Sequence, residues 1–316
     1  MHIGRNSSER APFNMREQCE YVLFQSLKRF VLFLPLHYAR RLGMLIGIAA
    51  YHLISARRHV ALENLFHAFP EKSRKECEKI ARRAFQNYGI AMMEFLSFPK
   101  LDDRTLRTLV HVRNPEVMIA GHAQGKGMVM LSGHFGNWEL IAFAVAWMTG
   151  LPFTIIVQTQ SNKSVDRVIN ELRCSRGNRV IPMGMSVREI LKSLQSGGII
   201  AIAPDQSGPM EGVFVDFFGR SVATHQGPAT FALRMGAPMQ FGFMIRQEDG
   251  SYEVILEEVP SADLVGDTKE HITELTQRHT AMLERYIRQY PDHWLWMHRR
   301  WKNTRESMHT EKTAIV

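Results

Sequence analysis

The chain has 316 residues, a hydrophobic fraction of 45%, a formal net charge of +8 and a pI near 9.5. That length holds one large α/β domain or two small ones with ample core, and the apolar content is ordinary for a globular protein. The basic balance points to an anionic partner such as nucleic acid, a membrane surface or an acidic carrier, while the three scattered cysteines argue against structural disulfides or zinc.

Residues 1–20 read as a polar, loosely ordered end without a signal-peptide pattern. The most apolar part follows, from Tyr21 to Ser55. Phe30–Leu36 and Leu42–Tyr51 are interrupted by His37 and Arg40-Arg41, so neither reaches the roughly 18–20 apolar residues that crossing a bilayer requires. Lys28-Arg29, Arg40-Arg41 and Arg57-Arg58 border these segments, a pattern suited to lying in a membrane interface among anionic headgroups. A buried helical hairpin is the competing reading. Arg57 to Pro70 reads as an amphipathic turn and helix, and Ser73-Arg-Lys-Glu76 is a capping box that opens a helix to about Ser97. Pro99 to Asn114 is charged and reads as a link. The expected organisation is therefore a helical, membrane-associating region over 21–114 and an α/β core over 115–305.

From Met128 onward strands alternate with helices, which predicts a mostly parallel central sheet flanked by helices. Expected strands are Met128–Leu131, Phe153–Val157, Arg179–Pro182 and Ile199–Ala203, followed by an antiparallel pair, Met239–Ile245 and Tyr252–Glu257. Expected helices start near Trp138 and run over Val165–Arg176, from a Ser186-x-x-Glu189 cap, from about Pro228 to Met235, and over Thr268–Tyr290. There is no P-loop and no G-x-G-x-x-G. The Gly-rich Gly121–Gly127 precedes its strand and has the wrong spacing for a nucleotide.

The stretch that carries chemistry is Met128-Val-Met-Leu-Ser-Gly-His134-Phe-Gly-Asn-Trp-Glu139. His134 follows a strand, where open α/β sheets bind their ligands. Asn137 is a good N-cap, and Glu139 then lies in the first helical turn. On one continuous helix the two side chains would point about 140° apart, but with His134 in the turn they can converge, and a carboxylate beside the imidazole makes it a general base. A zincin site would need a second His four residues on, and none is present, so no metal and no cofactor is expected. A structural role for His134 is the plainer alternative.

Other candidates are Asp205-Gln206, able to orient a substrate hydroxyl, hold an Arg or simply cap a turn, and the Gly-containing loop with Arg220, Thr224 and Gly227. The helix start at Gly227-Pro228 offers N–H groups for a phosphate or an oxyanion. Arg173 is suited to bidentate phosphate contacts. The tail Trp294-Leu-Trp296-Met-His-Arg299-Arg300-Trp301 combines aromatic rings and cations, which suits a membrane interface with headgroup contacts. A nucleic-acid surface is the alternative, but no nucleic-acid motif accompanies it.

His134-Phe-Gly-Asn-Trp-Glu139, Asp205-Gln206, Phe218-Gly-Arg220, Thr224, Gly227-Pro228, the closing Trp294–Trp301 and Asn64-Leu with Phe69-Pro70, as an ordered set over about 22–303, resemble the lipid A biosynthesis (lauroyl/myristoyl) acyltransferase family. The resemblance implies the glycerolipid (lysophospholipid) acyltransferase fold and a bacterial inner-membrane enzyme working at the cytoplasmic face. It implies transfer of an acyl chain from acyl carrier protein or acyl-CoA to a hydroxyl of a lipid A precursor. His134 would be the base with Glu139 as its partner, and the resemblance lends functional weight to Arg173 and Asp205. Because a thioester is already activated, direct transfer without an acyl-enzyme is expected. One departure is Gln158, where many members carry an Arg that contacts acceptor phosphate. Phosphatidylinositol-mannoside and aminolipid acyltransferases share the H-x4-D/E core and stand second. An inactive membrane-surface binding protein, and a hydrolase using Ser132, are the readings from other classes.

Overall fold

The computed structural model describes residues 14–184 and 187–305. Four helices come first: α1 (Met15–Phe33), α2 (Leu36–Leu53), α3 (Ser55–Ala68) and α4 (Arg74–Leu96). Helix α1 begins inside the stretch expected to be loose, because Asn14 caps it by accepting from the Glu17 N–H. The Ser73/Glu76 capping box forms at the head of α4 as expected. Helix α2 buries Ala39, Gly43, Gly47 and Tyr51, one stripe at four-residue spacing, against α4. The backbones touch there: a Cβ on Gly43 would lie 2.5 Å from the Gly89 carbonyl oxygen, so only glycine permits this crossing. Elsewhere α1 and α2 expose large apolar side chains among charged ones, with Phe33 at 87% and Leu53 at 81%. Among the described residues no helix is long and apolar enough to cross a membrane.

The expected link over 99–114 instead folds as α5 (Asp103–Leu109) and a strand, β1 (Val110–Val112). A three-residue strand is too short to show alternation in sequence. Helix α6 (Pro115–His122) precedes β2 (Met128–Leu131), so His122, expected in a polar loop, closes a helix and bonds the Gly197 carbonyl. Then follow α7 (Trp138–Thr149), β3 (Phe153–Val157), α8 (Lys163–Cys174), β4 (Arg179–Pro182), α9 (Val187–Gln195) and β5 (Ile199–Ile202). The expected cap Ser186 lies outside the described residues.

The segment expected as a Gly-containing loop is a hairpin, β6 (Val213–Phe217) and β7 (Arg220–Thr224). Its two turn residues, Phe218 (φ 54°) and Gly219 (φ 74°), both take the left-handed conformation that a tight hairpin requires. Helix α10 (Gly227–Met235), strands β8 (Met239–Arg246) and β9 (Tyr252–Glu258) and helix α11 (Lys269–Gln289) complete the elements.

The main sheet has seven strands in the order β1-β9-β8-β2-β5-β3-β4, and β8, β2, β5, β3 and β4 run parallel. The fold is α/β, with a mostly parallel sheet covered by helices on both faces. Alternation assigns Val129, Leu131, Ile200 and Ile202 to one core and Met128, Met130, Ile199 and Ala201 to the other. Chain order reverses around β2: the chain leaves it toward β3, returns to β5 beside it, and later adds β8 on its other flank. Such a reversal opens a crevice at the carboxyl ends of the strands.

Candidate active site

His134 and Asp205 meet in that crevice because their strands are adjacent and in register. Leu131 of β2 lies opposite Ile202 of β5, and each side chain of interest sits three residues beyond its member of this pair. His134 Nδ1 is 2.7 Å from Asp205 Oδ1. The His134 backbone N–H donates to Asp205 Oδ2 at 2.8 Å, and Trp294 Nε1 donates to the same oxygen at 2.9 Å. Since a carboxylate only accepts, Nδ1 carries the ring proton and Nε2 presents a lone pair. Gln206 Nε2 lies 3.4 Å from that nitrogen. Burial pulls the imidazole toward neutrality, but the charge and hydrogen bond of Asp205 outweigh it and hold its pKa above the ordinary value. For Asp205 burial alone would raise the pKa, and His134 with the hydrogen bonds carries it down to about 2.

Glu139, expected as the partner of His134, is engaged elsewhere. Arg173 of α8 grips it with two bonds, Nη2 to Oε1 at 2.6 Å and Nε to Oε2 at 2.9 Å. A planar guanidinium matches a carboxylate better than one imidazole N–H does, and α8 packs beside α7. Arg173 and Glu139 both line the crevice, so the pair stands at the site without touching the imidazole.

The turn holding His134 is tightly set. Gly136 has φ 60°, and a Cβ there would fall 1.8 Å from the Met244 carbonyl oxygen. Asn137 caps α7 as expected, accepting from the Leu140 N–H at 3.0 Å. Expected to bind substrate, Asn137 does not line the crevice: its side chain is fully buried and its amide donates to Glu94 at 2.6 Å. Glu94 also accepts from Arg40 Nε at 2.5 Å and Tyr252 Oη at 2.6 Å. This fully buried carboxylate joins α2, α4, β9 and the head of α7. Only a lone acid inside the apolar run 89–98 hinted at it.

Around this pair a cavity of about 770 Å³ opens, lined by His134, Trp138, Glu139, Gln158, Arg173, Gln206 and Gly227 at its polar side. Its remaining walls are mostly apolar and follow both faces of the sheet edge. Ile141, Ala142 and Val145 of α7 lie on one side, and Ile190 and Phe231 on the other. Gln158, the departure from the resembled family's pattern, does reach the cavity. Arg220 and Thr224, expected to bind substrate, line no part of it. Arg220 is exposed at the hairpin turn, and Thr224 is buried with its hydroxyl accepting from Arg300. Ser132 lines the cavity, but its hydroxyl donates to the carbonyls of Gly133 and Gly242. It therefore forms no nucleophile pair with His134.

The carboxyl-terminal tail overturns the headgroup reading for most of its residues. Trp294 is 3% exposed, Trp296 and Arg300 are buried outright, Trp301 is half-buried, and only Arg299 of the five is exposed. The apolar ring area is used inside the fold instead. The tail lies against the His134 turn: the Leu295 N–H donates to the His134 carbonyl at 3.0 Å, and the Gly136 N–H donates to the His293 carbonyl at 2.8 Å. Asn64 holds the tail from α3 by donating to the carbonyls of Trp296 and His298, at 2.8 and 2.7 Å.

A histidine–aspartate pair thus stands at the carboxyl edge of a mostly parallel α/β sheet, beside a largely apolar cavity. The sequence matches the bacterial lipid A biosynthesis acyltransferase family over residues 15–303, and the chain belongs to that family, as an O-acyltransferase. It is 26% identical over 278 residues to the lipid A biosynthesis lauroyltransferase of Escherichia coli K12, covering 87% of this chain and 89% of that protein. The Escherichia coli lipid A biosynthesis palmitoleoyltransferase is 26% identical over 264 residues, covering 83% and 84%. The phosphatidylinositol mannoside acyltransferase of Mycolicibacterium smegmatis is 25% identical over 228 residues, covering 71% and 73%.

Proposed function

We propose that this acyltransferase moves a fatty acyl chain from a thioester, on acyl carrier protein or coenzyme A, directly to a hydroxyl of a lipid A precursor. The observation that carries the reading is the Nε2 lone pair of His134, met only by the long 3.4 Å contact of the Gln206 amide and held by Asp205 at the polar side of a long, largely apolar cavity. Nε2 takes the hydroxyl proton as the acceptor oxygen attacks the thioester carbonyl. The carbonyl electrons become an oxyanion, for which the Gln206 amide beside Nε2 is the nearest side-chain donor. Collapse of the tetrahedral intermediate expels the thiolate, which recovers the proton from the imidazolium. No enzyme nucleophile is needed, in keeping with the engagement of Ser132 by backbone carbonyls. Arg173, with Glu139 fixing its plane, supplies positive charge for a phosphorylated acceptor, a role that Gln158 cannot fill.

The working place is the cytoplasmic face of a bacterial inner membrane. Support comes from the exposed apolar side chains of α1 and α2, among them Leu23, Phe30, Phe33 and Leu53, with Arg29 and Arg41 exposed beside them. Attachment is interfacial in this reading, through side chains and not through a span.

The test is mass spectrometry of lipid products made by the purified protein from acyl carrier protein thioesters and lipid A precursors. One acyl mass should be gained, and His134→Ala should reduce the rate about 10²–10⁴-fold. Near-wild-type turnover by that variant would remove His134 as the base. A phosphatidylinositol-mannoside-type acceptor is the second reading, favoured by the similarity to the Mycolicibacterium protein. Acylation of that glycolipid, with lipid A precursors left untouched, would put it first.

A further inference from the structure

Asp205 borders a second, much smaller cavity of about 10 Å³, closed off by Thr224, Phe217, His279, Thr280, Leu283 and Arg300. His134 does not line it. That volume is the size of one water molecule, and a buried water needs two to four polar partners. Here they are at hand. His279 of α11 is 2% exposed, and its Nε2 finds no hydrogen-bond partner among the described residues. Leaving such an atom unmet is costly, so buried polar atoms are normally paired through protein or water. Arg300 is 1% exposed, yet it donates only to neutral oxygens, the Ala223 carbonyl at 2.9 Å and Thr224 Oγ1 at 2.6 Å. A buried guanidinium requires a negative charge nearby, and Asp205 is the carboxylate whose charge it feels. Of the four lone-pair positions on Asp205, three are used, by His134 Nδ1, the His134 N–H and Trp294. One remains.

We propose that this cavity binds one water molecule, which donates to the remaining lone pair of Asp205, accepts from Arg300 and meets His279 Nε2. Arg300 and His279 are thereby positioning residues that hold Asp205 in place behind the base. The proposal rests on His134 and Asp205 acting as base and partner. The charges work in one direction. Burial carries His279 down to about 3, so it is neutral, and Arg300, lowered by burial to about 10, remains the cation. The other titratable groups facing the cluster are His225, before α10, and His298, in the tail. Burial and Arg300 favour the neutral form of both. A positive charge behind Asp205 offsets part of the field that stabilises the His134 imidazolium. Its removal therefore raises the pH at which His134 loses its proton.

The experiment has a structural arm and a kinetic arm. A crystal structure of the wild-type protein should hold a water within hydrogen-bond distance of His279 Nε2, the Asp205 carboxylate and Arg300. A dry cavity overturns the proposal, whatever the activity. In the kinetic arm Arg300→Met should move the acid limb of the kcat profile to higher pH and lower kcat about tenfold near neutrality, a fraction of the 10²–10⁴-fold carried by a base. His279→Leu, which keeps the charge balance, should lower kcat with KM unchanged, and His279→Gln, which keeps a partner for the water, should restore it. If Arg300→Met does not fold, the His279 pair and the crystal structure still decide. An unmoved acid limb in a folded Arg300→Met, or equal kcat for the two His279 variants, would reduce both residues to packing. A bound water together with a fully active His134→Ala would instead fault the assignment of the base.

Discussion

Glu94 and Asn137 share a hydrogen bond of 2.6 Å that ties the amino-terminal helices to the turn carrying His134. Arg40, on α2, completes the link from the exposed apolar side chains of the amino-terminal helices to the sheet edge that carries His134. Substituting Glu94 by Ala strands a guanidinium, an amide and a phenol hydroxyl in a dry interior. The expected loss is about 3–5 kcal/mol, the range for breaking a buried ion pair from one side. Thermal or denaturant unfolding measures it, and a loss under 1 kcal/mol would mean that water replaces the carboxylate.

Asp205→Asn should cost more activity than stability. Oδ2 accepts two donors, the His134 N–H and Trp294 Nε1, so the amide oxygen of the variant must turn toward them. Its NH2 then faces His134 Nδ1, which forces the ring proton onto Nε2 and removes the lone pair that accepts the hydroxyl proton in the proposed mechanism. A fall in kcat of about 10²–10⁴-fold is expected, with thioester binding unchanged. Retention of more than a tenth of the wild-type kcat would show that Asp205 does not set the tautomer.

The pH profile has a definite sign. In the proposed mechanism transfer needs neutral His134, and although burial is the largest single influence, the charge and hydrogen bond of Asp205 with the nearby charge of Glu139 together outweigh it and hold the imidazole pKa above its ordinary value. The rate should therefore climb with pH through a limb lying above about 6.5, the unperturbed imidazole value. A limb below that value would mean that burial prevails over Asp205.

Gly136→Ala places a methyl group against the Met244 carbonyl, at a position whose φ of 60° already disfavours side chains. The turn must move, and with it His134. Stability should fall by at least about 1–3 kcal/mol, and activity should fall further than the folded fraction does. Circular dichroism beside a rate assay separates the two effects.

Ala142 and Val145 face the cavity from α7. Ala142→Phe should shorten the acyl chain that fits, each excluded methylene forfeiting about 0.8 kcal/mol of transfer energy. Competition between thioesters of different length reads this directly. An unchanged chain preference would direct the acyl chain to the opposite face, beside Ile190 and Phe231.

The turn around His134 was legible from residues 128–139 because every determinant is local. A four-residue apolar strand, a glycine with positive φ and an Asn N-cap act over a few positions, and α7 starts at Trp138 as expected. The five parallel strands were legible for the same reason. Periodicity and capping are properties of neighbours in sequence. Partnership is not. Asp205 stands 71 positions from His134, and only the register of β2 on β5 makes them adjacent. Glu139 and Arg173 find each other across two helices because a bidentate fork outcompetes a single ring N–H. The tail shows the same limit from the other side: tryptophan and arginine suit a membrane surface and a protein interior alike. Their burial here was decided by the groove that β6, β7 and the His134 turn leave between them, where Trp294 meets Asp205, the carboxylate bonded to His134.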